Sequence, residues 1–196
     1  MKHLSPALGL IAVVMLQAAG VNATPMTFVG QLNSAMENNP ANNSPATGTA
    51  TVILDPTAQT LQVNATFSGL TSNDIMAHIH CCAPLGTNVG VATTVPAFPG
   101  FPLNVTSGTY SSVVFDLTQS LIYNPAFVTL EGGLPQAETA LINGIENGLT
   151  YFNIHTVNFP GGEIRSQLEP VPEPASLALL GTALFGIGLF RSRRRR

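Results

Sequence analysis

Along Leu61-Gln-Val-Asn-Ala-Thr-Phe67 the odd positions are apolar and the even ones polar. This is the two-residue period of a strand with one buried face. Residues 47–54 read as its partner, with Asp55-Pro56-Thr57-Ala58-Gln59 as the turn between them. Shorter runs predict further strands over 26–32, 74–80, 112–117, 150–156 and 163–168. Helical spacing takes over once, between Pro135 and Asn147, where Ala137, Leu141 and Ile145 share a face and Gly148 suits the C-terminal cap. About seven short strands bounded by Gly, Pro and Asn, with one short helix, predict a mainly β domain, an antiparallel β-sandwich or barrel.

Two stretches break the pattern. Residues 33–46 are rich in Asn and Pro and read as a loop. Residues 81–109 hold Pro84, Gly86, Gly90, Pro96, Pro99, Gly100, Pro102 and Gly108. A structureless segment of that length in a compact domain serves either function or the covering of a sheet edge, and the sequence leaves both open.

The chain ends read as addresses. Residues 1–23 have the form of a secretory signal peptide: Lys2, an apolar run from Leu8 to Leu16, and Val21-Asn22-Ala23 as a small-residue cleavage site. At the other end Pro172-Glu173-Pro174 precedes an apolar run over 175–190, closed by Arg191-Ser-Arg-Arg-Arg-Arg196. Sixteen residues at a rise of about 1.5 Å cover about 24 Å, a short transmembrane helix whose arginines snorkel to the cytoplasmic side. Residues 171–196 resemble the PEP-CTERM sorting signal, with motif, helix and basic tail in the right order. That resemblance implies export by a biofilm-forming Gram-negative bacterium, passage through the inner membrane during sorting, and processing of the tail by an exosortase-type enzyme. A permanent single-span anchor is the alternative. Either way the region between, 24–170, ends up at the cell surface or outside the cell.

Charge sharpens the division. Charged residues make up only 9% of the chain, and net charge is −3. Between residues 24 and 170, however, nine acids face a single basic residue, Arg165. Nucleic-acid binding by that region is excluded, because phosphate contacts need clustered Lys and Arg.

Of the four histidines, three lie beyond the signal segment: His78, His80 and His155. His78 and His80, at i and i+2 on a strand, point to one face with Cα atoms about 6–7 Å apart. With His155 from another strand they would suit Zn or Cu. Glu163 is a candidate fourth ligand or an orienting partner for an imidazole. Cys81 and Cys82 have no other cysteine to pair with, which leaves a vicinal disulfide, intermolecular bridges, or ligation by Cys81 beside the histidines. The competing reading is a hydrogen-bonded histidine network that holds strands together, with Arg165 in an ion pair. No Gly-x-Ser-x-Gly or other nucleophile-and-base set is present, so no catalytic residue is assigned.

Phe67-Ser-Gly-Leu70, Ala77-His-Ile-His80, Tyr151-Phe-Asn-Ile-His-Thr156 and Phe159-Pro-Gly-Gly-Glu-Ile-Arg165 together resemble the CHRD domain, the module named after chordin. The resemblance runs through most of residues 26–168 and implies the fold far more than an activity. The family has small residues after the His-x-His, where this chain has Cys81-Cys82. Gly69-Leu70 followed by His-Ile-His also looks like Cu/Zn superoxide dismutase, but three histidines cannot build that enzyme's two-metal site. The sequence therefore favours a non-enzymatic surface or biofilm-matrix protein that binds an extracellular protein or polysaccharide. The alternative is a mononuclear Cu or Zn domain.

Overall fold

The computed structural model describes residues 24–38 and 42–172. The signal peptide expected over 1–23 and the span expected over 175–190 lie outside them. Among the described residues no helix is long and apolar enough to cross a membrane.

In chain order the elements are β1 (Met26–Asn33), β2 (Thr47–Asp55), β3 (Thr60–Ser68), β4 (Asp74–Cys81), β5 (Gly108–Ser111), β6 (Phe115–Asp116), α1 (Pro125–Glu131), α2 (Leu134–Glu146), β7 (Thr150–Thr156), β8 (Ile164–Gln167) and β9 (Glu169–Pro170). The strands form one curled antiparallel sheet in the order β4-β7-β8-β1-β2-β3-β5, with β6 also on β3 and β9 on β1. The β2–β3 hairpin pairs without a break from Thr47↔Ser68 to Asp55↔Thr60. Its turn is set by Asp55, whose Oδ1 accepts the amides of Thr57 at 3.0 Å and Ala58 at 2.8 Å.

One face of the sheet carries the core. Phe28, Leu32, Val52, Leu54, Leu61 and Val63 come from the meander; Ala77, Ile79, Phe152, Ile154 and Ile164 continue it across β4, β7 and β8. Phe98 and Phe101 from the long loop, with Leu141 and Ile145 of α2, close over it. The strand expected over 112–117 is shorter: only Phe115 and Asp116 pair, while Gly108–Ser111 takes the place beside β3. Between them Ser112 breaks the ladder, its Oγ accepting the Val63 amide at 2.9 Å. Helix α1 is additional to the one expected.

The long loop covers an edge. It follows the open side of β4, where Ala77 N donates to Pro96 O (3.1 Å), Cys81 N to Gly90 O (3.3 Å) and Ala92 N to Ile79 O (2.9 Å). Unpaired strand groups are thus satisfied without a further strand. Strand β7 is buried on both sides throughout. Its outer face lies under loops, and that face carries the chemistry.

Candidate metal centre

Strand alternation divides β4 and β7 cleanly. Ala77, Ile79, Phe152 and Ile154 face the core, so His78, His80, Tyr151, Asn153 and His155 face the other way. Register sets them side by side, with His80 opposite Tyr151, His78 opposite Asn153, and Asn153 opposite Arg165 of β8. The three histidines are buried, and each offers one ring nitrogen within 4.8 Å of the others.

Every Nδ1 is held by a backbone carbonyl: His80 by Val89 O at 2.7 Å, His155 by Pro160 O at 3.0 Å, and His78 by Pro96 O at 3.2 Å. A carbonyl only accepts, so each Nδ1 carries the proton, and in a neutral ring Nε2 is left bare. The rings are held neutral. Burial, then the neighbouring His155 and His80, push His78 from 6.5 to about 3. Burial pushes His80 to about 4 and lowers His155. His78 Nε2 and His155 Nε2 stand 3.0 Å apart. Two bare lone pairs at that distance repel unless a positive charge lies between them. The Nε2 of His80 is buried, with no hydrogen-bond partner among the described residues. Neutral imidazoles with oriented outer nitrogens and converging inner ones are what a transition ion requires of its ligands.

The surroundings fix this arrangement. Tyr151 lies flat on His80, with centroids 4.5 Å apart and planes 9° from parallel, and the Arg165 guanidinium covers the Tyr151 ring at 4.5 Å. Arg165 also donates to Asn88 Oδ1 and to Met36 O, both at 2.6 Å, and its Nε stands 3.9 Å from Glu37. It thereby ties the segment after β1 and the β4-edge loop, which supplies Val89 O, to the sheet.

Two candidate ligands do other work. The Glu163 carboxylate accepts from Ser44 Oγ (2.5 Å), Thr71 N (2.8 Å), Thr71 Oγ1 (3.1 Å) and Thr156 Oγ1 (2.5 Å). Its oxygens are occupied by two loops and the end of β7, and among the described residues it belongs to no cluster with the histidines. Cys81 is joined to Cys82 in a vicinal disulfide, so neither sulfur is a thiolate. As the residue after His80, Cys81 faces α2 instead, where both sulfurs approach Ala140 O. Tyr151, Asn153 and Glu37 were not singled out by the sequence reading. Tyr151 and Asn153 carry the same two-residue spacing as His155, which places all three on one face.

A family profile for the CHRD domain matches residues 28–168. The chain belongs to the CHRD family. The PEP-CTERM protein-sorting motif matches residues 170–196, which marks the protein for export and membrane-anchored sorting with exosortase-type processing. No curated protein and no solved structure matches the chain. The three histidines, the long loop and the Pro160 turn all fall inside the CHRD match.

Proposed function

We propose that this CHRD domain is a mononuclear metal-binding module, holding one Cu or Zn ion through His78, His80 and His155 and delivered outside the cytoplasm by its sorting motif. The observation that carries the reading is the convergence of three bare Nε2 atoms whose Nδ1–H groups all point outward to carbonyls. A merely structural histidine network would use its inner nitrogens for hydrogen bonds, whereas here two lone pairs face each other and a third has no partner. On this reading the domain works at the cell surface or in the extracellular matrix as a non-enzymatic protein, and partner proteins or polysaccharide meet a fold that carries an ion.

The test is metal analysis of purified domain after loading with Cu or Zn and desalting. Wild type is expected to retain about one ion per chain, and the double variant His78→Ala/His80→Ala close to none. Equal retention by the two proteins would refute the assignment.

A further inference from the structure

Three imidazoles leave a transition ion with an open position, and two further side chains face that region. Asn153 stands directly opposite His78, two residues from His155 and two from Tyr151, which is opposite His80. Directly opposed side chains on a sheet face stand about 4.5–5.5 Å apart and diagonal ones about 7–8 Å, so Asn153 lies among the three ligands. It is buried, and its Oδ1 has no hydrogen-bond partner. Glu37 reaches the same place from the segment after β1. Its side chain is 4% exposed, its Oε2 faces Arg165, and its Oε1 is buried without a partner.

A Cβ built on Gly162 would stand 2.6 Å from Glu37 Oε1 and 2.6–2.9 Å from the Asn153 amide. Glycine at 162 therefore leaves room for two acceptors that no group among the described residues satisfies. Their desolvation is costly unless a donor enters. Arg165 does not fill that role: its Nε stands 3.9 Å from Glu37 Oε2, beyond hydrogen-bond reach, and it donates instead to Met36 O and Asn88 Oδ1.

We propose that Glu37 and Asn153 form the pocket for the ion's exchangeable ligand, and that this ligand is a small protic oxygen donor such as water, not a bare anion. The inference rests on the metal reading above. A water bound through its oxygen turns both O–H groups outward, one toward each acceptor. An anion in the same position would meet the Glu37 carboxylate and an amide oxygen with nothing to donate.

The probe is azide, titrated into the cobalt(II)-loaded domain at pH 8 and followed in the visible spectrum. That pH lies above the value of about 7 to which burial pushes Glu37, so its carboxylate is ionised. Wild type is expected to bind azide weakly. Glu37→Gln, which offers an N–H in place of a carboxylate oxygen, should bind it about tenfold more tightly, the effect of exchanging one charged repulsion for a hydrogen bond. Asn153→Ala should shift affinity in the same direction by a smaller factor. The two residues sit on separate segments, so poor folding of one variant leaves the other as the reporter. Azide affinities within about twofold of wild type, at one cobalt per chain, would overturn the pocket while leaving the metal site standing. A wild-type protein that takes up no cobalt would instead bring down the metal reading, and this one with it.

Discussion

At the scale of single residues the three histidines make the domain sensitive to acid, and the sign follows from their shifts. In the unfolded chain each titrates near 6.5; in the fold His78 and His80 are lowered to about 3 and about 4, and His155 is lowered too. Between about pH 6.5 and 4.5 the unfolded state therefore takes protons at His78 and His80 that the folded state refuses, and His155 acts in the same direction. Glu37 acts in the opposite sense, because burial raises it to about 7 and the folded state keeps a proton there that the unfolded chain releases. Asp74, also raised by burial, acts with Glu37; three lowered rings against two raised carboxyls still leave the unfolded state with more bound protons, so the metal-free domain loses stability as pH falls through this window. Between pH 7 and pH 5, His78 and His80 each take about 2 kcal/mol from the fold, and the raised Glu37 returns about as much as one ring takes. The urea midpoint of the apo-domain is expected to be lower at pH 5 than at pH 7 by about 1 M, with a slope of roughly 2 kcal/mol/M. The dependence should shrink in His78→Ala/His80→Ala. An apo-domain equally stable at both pH values would mean that the rings are solvated rather than sealed beneath the loops.

At the scale of elements, alternation and caps account for what could be read from the sequence and what could not. Strands β1, β2, β3, β4 and β7 lie where the two-residue period puts them, because each has one face in the core. The same period sets His78 and His80 on one face but does not say which face. That depends on Ile79 and Phe152 entering the core between them. β5 escaped because it begins at Gly108 within a Pro- and Gly-rich run and has Tyr110 as its one buried side chain. Helix α1 did leave a signal: Asn124 caps it by accepting the Ala126 amide at 3.0 Å, Pro125 opens it, and Gly132 closes it at φ 90°. The role of Cys81 turned on a contact between elements. Gly144, in the last turn of α2, lies against the disulfide: a Cβ there would collide with Cys81 Sγ and come within 3.0 Å of Cys82 Sγ and 3.2 Å of Thr150 Cγ2. An unhindered helix gains about 1 kcal/mol from Gly→Ala, whereas overpacking costs about 1–3 kcal/mol. Gly144→Ala is accordingly expected to destabilise the oxidised domain by about 1–2 kcal/mol in urea denaturation. A stabilised variant would show that α2 can move away from β4.

At the scale of the whole molecule, the sorting motif meets the domain at its last strand. β9 pairs with β1 through Phe28↔Pro170 and Val29↔Glu169, and the Val171 amide still donates to Thr27 O at 2.8 Å. The motif match begins at 170, so folded structure and address share only one or two residues. Each ligand of the candidate centre, each carbonyl that orients it and the Arg165 clamp lie between residues 36 and 165. Processing beyond Pro172 thus leaves all of these contacts in place. A chain comprising residues 24–172 is expected to fold with the urea midpoint of the full-length protein and to retain the same one ion per chain. One ending at residue 168 gives up β9 and the Val171 bond, and with them about 1–2 kcal/mol at roughly 1 kcal/mol per hydrogen bond. Inside the exporting cell, replacing Pro172-Glu173-Pro174 by alanines should leave that folded domain intact while the chain accumulates at its unprocessed size on immunoblots. If the 24–172 protein instead loses its ion, the centre depends on residues beyond 172, and domain and address could not be separable parts.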